Sequence, residues 1–111
     1  NKRTAHRWCE PLTPLTRERG SVYPKSALEL GQVTVYPDFT IRHPKTGKLF
    51  LWEHLGMVDE SAYRRNALSK LQLYMEHGWI PSVNLLLTFE TKEYPLDMAY
   101  VEGLIKEYFV K

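Results

Sequence analysis

The segment VTVYPDFTIRHPKTGKLFLWEHL, residues 33–55, sets the reading of the whole chain. Its two halves, residues 33–42 and 49–55, are rich in β-branched and aromatic residues and have the length of strands. Between them, Pro44-Lys45-Thr46-Gly47 is a β-turn sequence with glycine in the last position. The expected element is a hairpin. A turn centred between Lys45 and Thr46 sets Asp38 opposite Glu53, and opposed residues share a face with Cβ atoms roughly 4.5 to 5.5 Å apart. The other face collects Phe39, Ile41, Phe50 and Trp52 and is the aromatic, core-facing side. His54 shares that parity. Its side chain is therefore expected to point away from the acids and make a hydrogen bond in the core or at an edge, while its backbone carbonyl stays within reach of a metal held by Glu53.

Outward from the hairpin, residues 22–30 are compatible with an extended segment that Pro24 bends or confines to an edge, and Gly31 punctuates the chain. Residues 1–21 are charged, carry Pro11 and Pro14 and show no sustained period; they are expected to form an arm or irregular lead-in, with a helical turn near Thr16. Residues 22–111 are then the core domain. Downstream, Asp59 is a candidate cap for a helix whose apolar positions are Ala67, Leu68, Leu71, Tyr74 and Met75, ended by Gly78 and Pro81. Residues 83–89 form a nearly continuous apolar run expected as a central strand. Asp97 is positioned to cap a last helix with a stripe of Met98, Val101, Leu104, Ile105 and Tyr108. The order β, β-hairpin, α, β, α predicts an α/β class with a mixed sheet around a central hairpin, flanked by helices.

At 111 residues, 43% hydrophobic and 25% charged, the chain has the size and balance of one globular domain and leaves no room for a separate cofactor domain. Its net charge of +2 neither demands nor excludes a nucleic-acid partner. Basic residues do cluster, with Lys2, Arg3, Arg7, Arg17 and Arg19 in the lead-in and Arg42, Lys45 and Lys48 with His43 around the turn; they suit either phosphate contacts or a solvated surface. The single Cys9 excludes an intramolecular disulfide and a multi-cysteine zinc site. With no apolar run of membrane-spanning length and no signal-peptide pattern at the N-terminus, a cytoplasmic location is the expectation. Because the chain begins at Asn1 rather than methionine, a larger parent chain is expected, with a homo-oligomer as the other context.

Two carboxylates set opposite each other on a mostly non-ionic face need compensation. One carboxyl is protonated, or a hard cation such as Mg²⁺ sits between them, or both lie on a solvated face or pair with Arg42 or another basic group. Lys70 lies in line with Tyr63, Ala67 and Tyr74 on the predicted helix. Its stem either lies along that apolar stripe with its head in water, or the head reaches the acids.

Tyr36-Pro37-Asp38-Phe39-Thr40-Ile41, then Trp52-Glu53-His54-Leu55-Gly56, then Lys70-Leu71 with Tyr74, together resemble the PD-(D/E)XK nuclease superfamily, in particular nuclease modules of helicase-like bacterial proteins. The resemblance covers residues 33–90. It implies a restriction-endonuclease-like core in which Asp38 and Glu53 bind Mg²⁺, with Mn²⁺ as a substitute, and a lysine assists the attacking water. In the standard pattern that lysine lies two residues after the glutamate, where this chain has Leu55; some members supply it from the following helix, and Lys70 matches that position. The superfamily also carries an upstream helical glutamate, for which Glu10 and Glu18 are the available substitutes. The implied activity is metal-dependent hydrolysis of phosphodiester bonds in DNA, with catalytic Asp38, Glu53 and Lys70 and metal ligands Asp38, Glu53 and the His54 carbonyl. The alternative is an inactive nucleic-acid or protein interaction module that retains the fold.

Overall fold

The computed structural model describes Leu12 and residues 21–110. The basic residues of the lead-in, Cys9, Glu10, Glu18 and the helical turn expected near Thr16 lie outside the described residues. Leu12, within the stretch expected as an arm, is buried in the core.

The central hairpin forms with the expected register. Strand β4 (Phe39–Arg42) pairs antiparallel with β5 (Leu49–Leu55), setting Phe39 opposite Trp52 and Ile41 opposite Phe50. Gly47, at φ 75°, takes a left-handed conformation that suits glycine, and its amide closes on the His43 carbonyl at 3.0 Å. His43, grouped by sequence with the phosphate-contacting bases, is instead buried. Its Nδ1 accepts the amides of Lys45 (3.0 Å) and Thr46 (3.2 Å), and its ring lies 6.2 Å from that of Phe109. It is a structural part of the turn.

Strand β1 (Ser21–Pro24) adds antiparallel to β4, and β6 (Leu85–Phe89) adds parallel to β5, giving the order β1-β4-β5-β6. The parallel pair is joined through helix α1 (Ser61–Glu76), because parallel neighbours need a crossover. A separate two-stranded unit pairs β2 (Leu28–Leu30) with β3 (Val33–Val35) around Gly31, whose φ of 65° fits a two-residue turn with glycine first. Residues 33–42 are therefore two strands in two sheets and not one. The break falls at Tyr36-Pro37, where proline lacks the amide hydrogen a ladder requires and is itself fully buried.

Both faces of the sheet are covered, not the aromatic face alone. On one, Phe39, Ile41, Phe50, Trp52 and Leu86 pack against Val101, Ile105 and Phe109 of helix α2 (Met98–Ile105) and the wider π-helical turn Lys106–Val110 that extends it. Phe109 meets Phe50 edge-on, with centroids 4.9 Å apart. Asp97 caps α2 as expected, accepting the Ala99 amide at 2.9 Å. On the other face, Leu51, Leu55 and Leu85 pack under Leu71 and Tyr74 of α1, with Leu30 and Val35 from the small hairpin.

Three further expectations are corrected. The run at residues 83–89 yields a strand that begins at Leu85 and, among the described residues, lies at the edge of the sheet; it is apolar because helices cover both faces of a parallel pair, while exposed Val83 lies in the preceding turn. Asp59 does not cap α1, whose N-cap is Glu60 without a side-chain bond. Leu68 and Met75 are exposed, because the buried stripe of α1 runs through Leu71 and Tyr74. The described residues form a mixed α/β fold, and no helix among them is long and apolar enough to cross a membrane.

Candidate active site

The acids meet on the α1 face of the sheet. Glu53 is carried by the well-buried strand β5, and Asp38 follows buried Pro37 immediately before β4. Their contact is close: the Asp38 amide donates to Glu53 Oε1 at 3.2 Å, and the His54 amide donates to Asp38 Oδ2 at 2.7 Å. The hairpin thus fixes each acid by a backbone N–H belonging to, or next to, the other.

Helix α1 completes the site. Its stripe of Tyr63, Lys70 and Tyr74 faces β5, and each polar head finds a partner there. Lys70 Nζ donates to Glu53 Oε1 at 3.1 Å and lies 5.8 Å from the centre of the Tyr74 ring. Tyr74 Oη donates to the same oxygen at 3.0 Å, while Tyr63 Oη accepts the Gly56 amide at 3.0 Å. Leu55, two residues after Glu53, is buried in the core beneath the helix. The cation reaches the glutamate from α1 instead.

Sequence reasoning missed Lys25. Its Nζ donates to Asp38 Oδ1, and its amide donates to the Asp38 carbonyl at 3.1 Å. Nothing near Lys25 in the sequence marks it, because it reaches Asp38 only through the β1–β4 pairing and the turn that follows β1. Tyr74 carried a readable signal: a phenol one turn beyond Lys70 points at whatever Lys70 points at.

Burial dominates the electrostatics of Glu53, pushing its carboxyl above the usual range; the positive charge of Lys70 opposes this and the charge of Asp38 adds to it. Tyr74 is pushed up by the same burial and by Glu53 beside it, so its hydroxyl keeps its proton as a donor. For Lys25, partial burial disfavours the charge, but the hydrogen bond and attraction of Asp38 outweigh it and raise its pKa.

His54 enters the site through its amide and not its ring. The ring is on the opposite face, with Nδ1 2.9 Å from Thr88 Oγ1 and Nε2 3.0 Å from Glu90 Oε1. The expectation that it points away from the acids holds, with two polar contacts where one was expected.

Whether the acids suit a divalent ion rests on their oxygens. The Glu53 side chain is only 6% exposed, and among the described residues its Oε2 accepts no hydrogen bond, whereas three donors converge on Oε1. A buried carboxylate oxygen with no donor among the described residues, beside a second carboxylate, is a hard oxygen site of the kind Mg²⁺ takes with one or two carboxylates and water. Among the described residues no third acid, histidine or cysteine joins the pair. The donor set fits an ion that keeps much of its water, not a closed protein cage.

The chain matches no protein-family model, no curated protein and no solved structure.

Proposed function

We propose that this chain is the core of a metal-dependent nuclease, with a restriction-endonuclease-like core of the PD-(D/E)XK type, that hydrolyses phosphodiester bonds in DNA. The observation that carries the reading is the convergence of Asp38, Glu53 and Lys70 on one face, with the lysine delivered by the helix after the motif strand. Such a combination of two acids and one ammonium serves hydrolysis of a charged ester better than it serves stability, because burying charges side by side is costly.

Asp38 and Glu53 would hold Mg²⁺ or Mn²⁺, with the His54 carbonyl as a further oxygen donor. A bound divalent ion supplies a water of lowered pKa and stabilises charge on the phosphate. Lys70 orients the attacking water by hydrogen bonding and offsets negative charge on the phosphate oxygens. Tyr74 and the Asp38 amide hold Glu53 Oε1 in place, so the carboxylate does not rotate. Exposed Arg42, Lys45 and Lys48 at the hairpin tip are available for the nucleic-acid backbone through salt-sensitive contacts.

The test is cleavage of plasmid and single-stranded DNA with Mg²⁺ or Mn²⁺. The parent protein is expected to cleave, and Asp38→Asn and Lys70→Ala each to lose about a hundredfold or more. Cleavage unchanged in Asp38→Asn removes the acids from the mechanism. One observation favours a second reading, an inactive nucleic-acid or protein interaction module: both acids already pair with lysines, Asp38 with Lys25 and Glu53 with Lys70. DNA binding that depends on metal but brings no cleavage supports that reading.

A further inference from the structure

We propose that Lys25 is a resident counter-ion of the acid pair, which a divalent cation must displace, so that the site alternates between a lysine-closed and a metal-loaded state. This rests on the metal reading of Asp38 and Glu53 given above.

The two lysines of the site are not equivalent. Lys70 emerges from a regular helix, its side chain 34% exposed, and bonds to the nearly inaccessible Glu53. Lys25 lies at the mouth with its side chain 57% exposed, on Asp38, which is 15% exposed. Lys25 can therefore exchange its carboxylate for water with little desolvation, and Lys70 cannot do so without stranding a buried charge.

Asp38 is prepared for that exchange. Its Oδ2 is fixed by the His54 amide at 2.7 Å, independently of any side chain, so Oδ1 keeps its orientation when the lysine leaves. Lys25 covers that oxygen. Its backbone takes φ 51°, a left-handed conformation unfavourable for a lysine, and is held there by the bond from its amide to the Asp38 carbonyl. The main chain thus presents the ammonium to the acid even though more than half of the side chain is exposed.

Charge balance gives the exchange a consequence. Among the described residues, the lysine-closed site sets two carboxylates against two ammonium groups, so their charges balance. Loaded with a divalent ion in place of Lys25, it carries net positive charge and attracts a phosphodiester. Substrate electrostatics would then favour the loaded state.

The experiment is Mn²⁺ titration calorimetry on the parent and on Lys25→Met, alongside thermal unfolding in EDTA and in saturating Mn²⁺. Removing the competing cation is expected to tighten Mn²⁺ binding about tenfold, the scale of a charge interaction at a half-exposed site. Lys25→Met is expected to unfold at a lower temperature than the parent in EDTA, with the gap closing in Mn²⁺. Equal or weaker Mn²⁺ affinity in the variant, with the parent still binding, overturns the exchange and leaves the metal site standing; absence of Mn²⁺ binding in both overturns the two together. A measurement on the parent alone guards against a variant that fails to fold. Acetylation of Lys25, read by mass spectrometry, should rise several-fold in saturating Mg²⁺, and an unchanged rate contradicts the proposal.

Discussion

Glu53 is the residue on which the site turns, because its carboxyl is raised above 4.5 by burial before any partner acts on it. The sign of its effect on stability follows. Below about pH 4.5 the carboxyl is protonated in both folded and unfolded chains. As pH rises towards the folded value, the unfolded chain releases its proton first, and the stability that Glu53 contributes in acid is lost. In EDTA, the parent should therefore lose stability relative to Glu53→Gln as pH climbs from 4.5 towards neutrality, measured by urea unfolding at each pH. A parent that gains on the variant over that window would show that Lys70 outweighs burial. Tyr74→Phe removes one donor to the same carboxylate and should cost about 1 kcal/mol in the same assay, more if Glu53 then moves. The opposition of Asp38 and Glu53 was legible in the sequence because turn position is a local rule, whereas helical spacing put Lys70 in line with Tyr74 but left open whether its head reached the acids or water. Lys25 was not, since its contact depends on how β1 docks against β4, which no local pattern states.

At the scale of elements, the hairpin places the acids and its turn places the hairpin. His43 accepts two turn amides and packs near Phe109, so His43→Ala should destabilise the protein by about 2 to 3 kcal/mol through lost hydrogen bonds and a cavity. A change within about 0.5 kcal/mol in urea unfolding would show that the turn holds without it. The register was readable from Pro44-Lys45-Thr46-Gly47 alone, because the length of a tight turn fixes which residues oppose each other. The role of His43 was hidden by its basic neighbours. The break at Tyr36-Pro37 was readable in principle from proline's missing amide, but the β-forming residues on both sides masked it. Apolar character likewise could not place β6 at the edge it takes among the described strands: a strand covered on both faces looks the same in sequence wherever it lies in the sheet.

Across the whole molecule, two cores on opposite faces hold a sheet whose acid pair sits under α1, beside apolar packing by Leu51, Leu55 and Tyr74. The mixed α/β class was legible from the change of period after Gly56, whereas the burial of both faces was not, because the hairpin's alternation describes one strand pair and not the helices that later cover it. Because the site lies at the junction of β4, β5 and α1, the ion binding proposed for it would be coupled to the stability of all three. Mn²⁺ at about a hundred times its Kd should stabilise the protein by about 2.7 kcal/mol, and Asp38→Asn should abolish that gain in thermal unfolding. The most direct measurement is amide-proton NMR during addition of substoichiometric Mn²⁺, whose unpaired electrons broaden signals near the bound ion. The amides of Asp38, Glu53 and His54 should vanish first, with those of Lys25 and Lys70 close behind, while the hairpin tip at Lys45 and Thr46 stays sharp. Broadening centred anywhere else, or none at all, would contradict a divalent-ion site at these two acids.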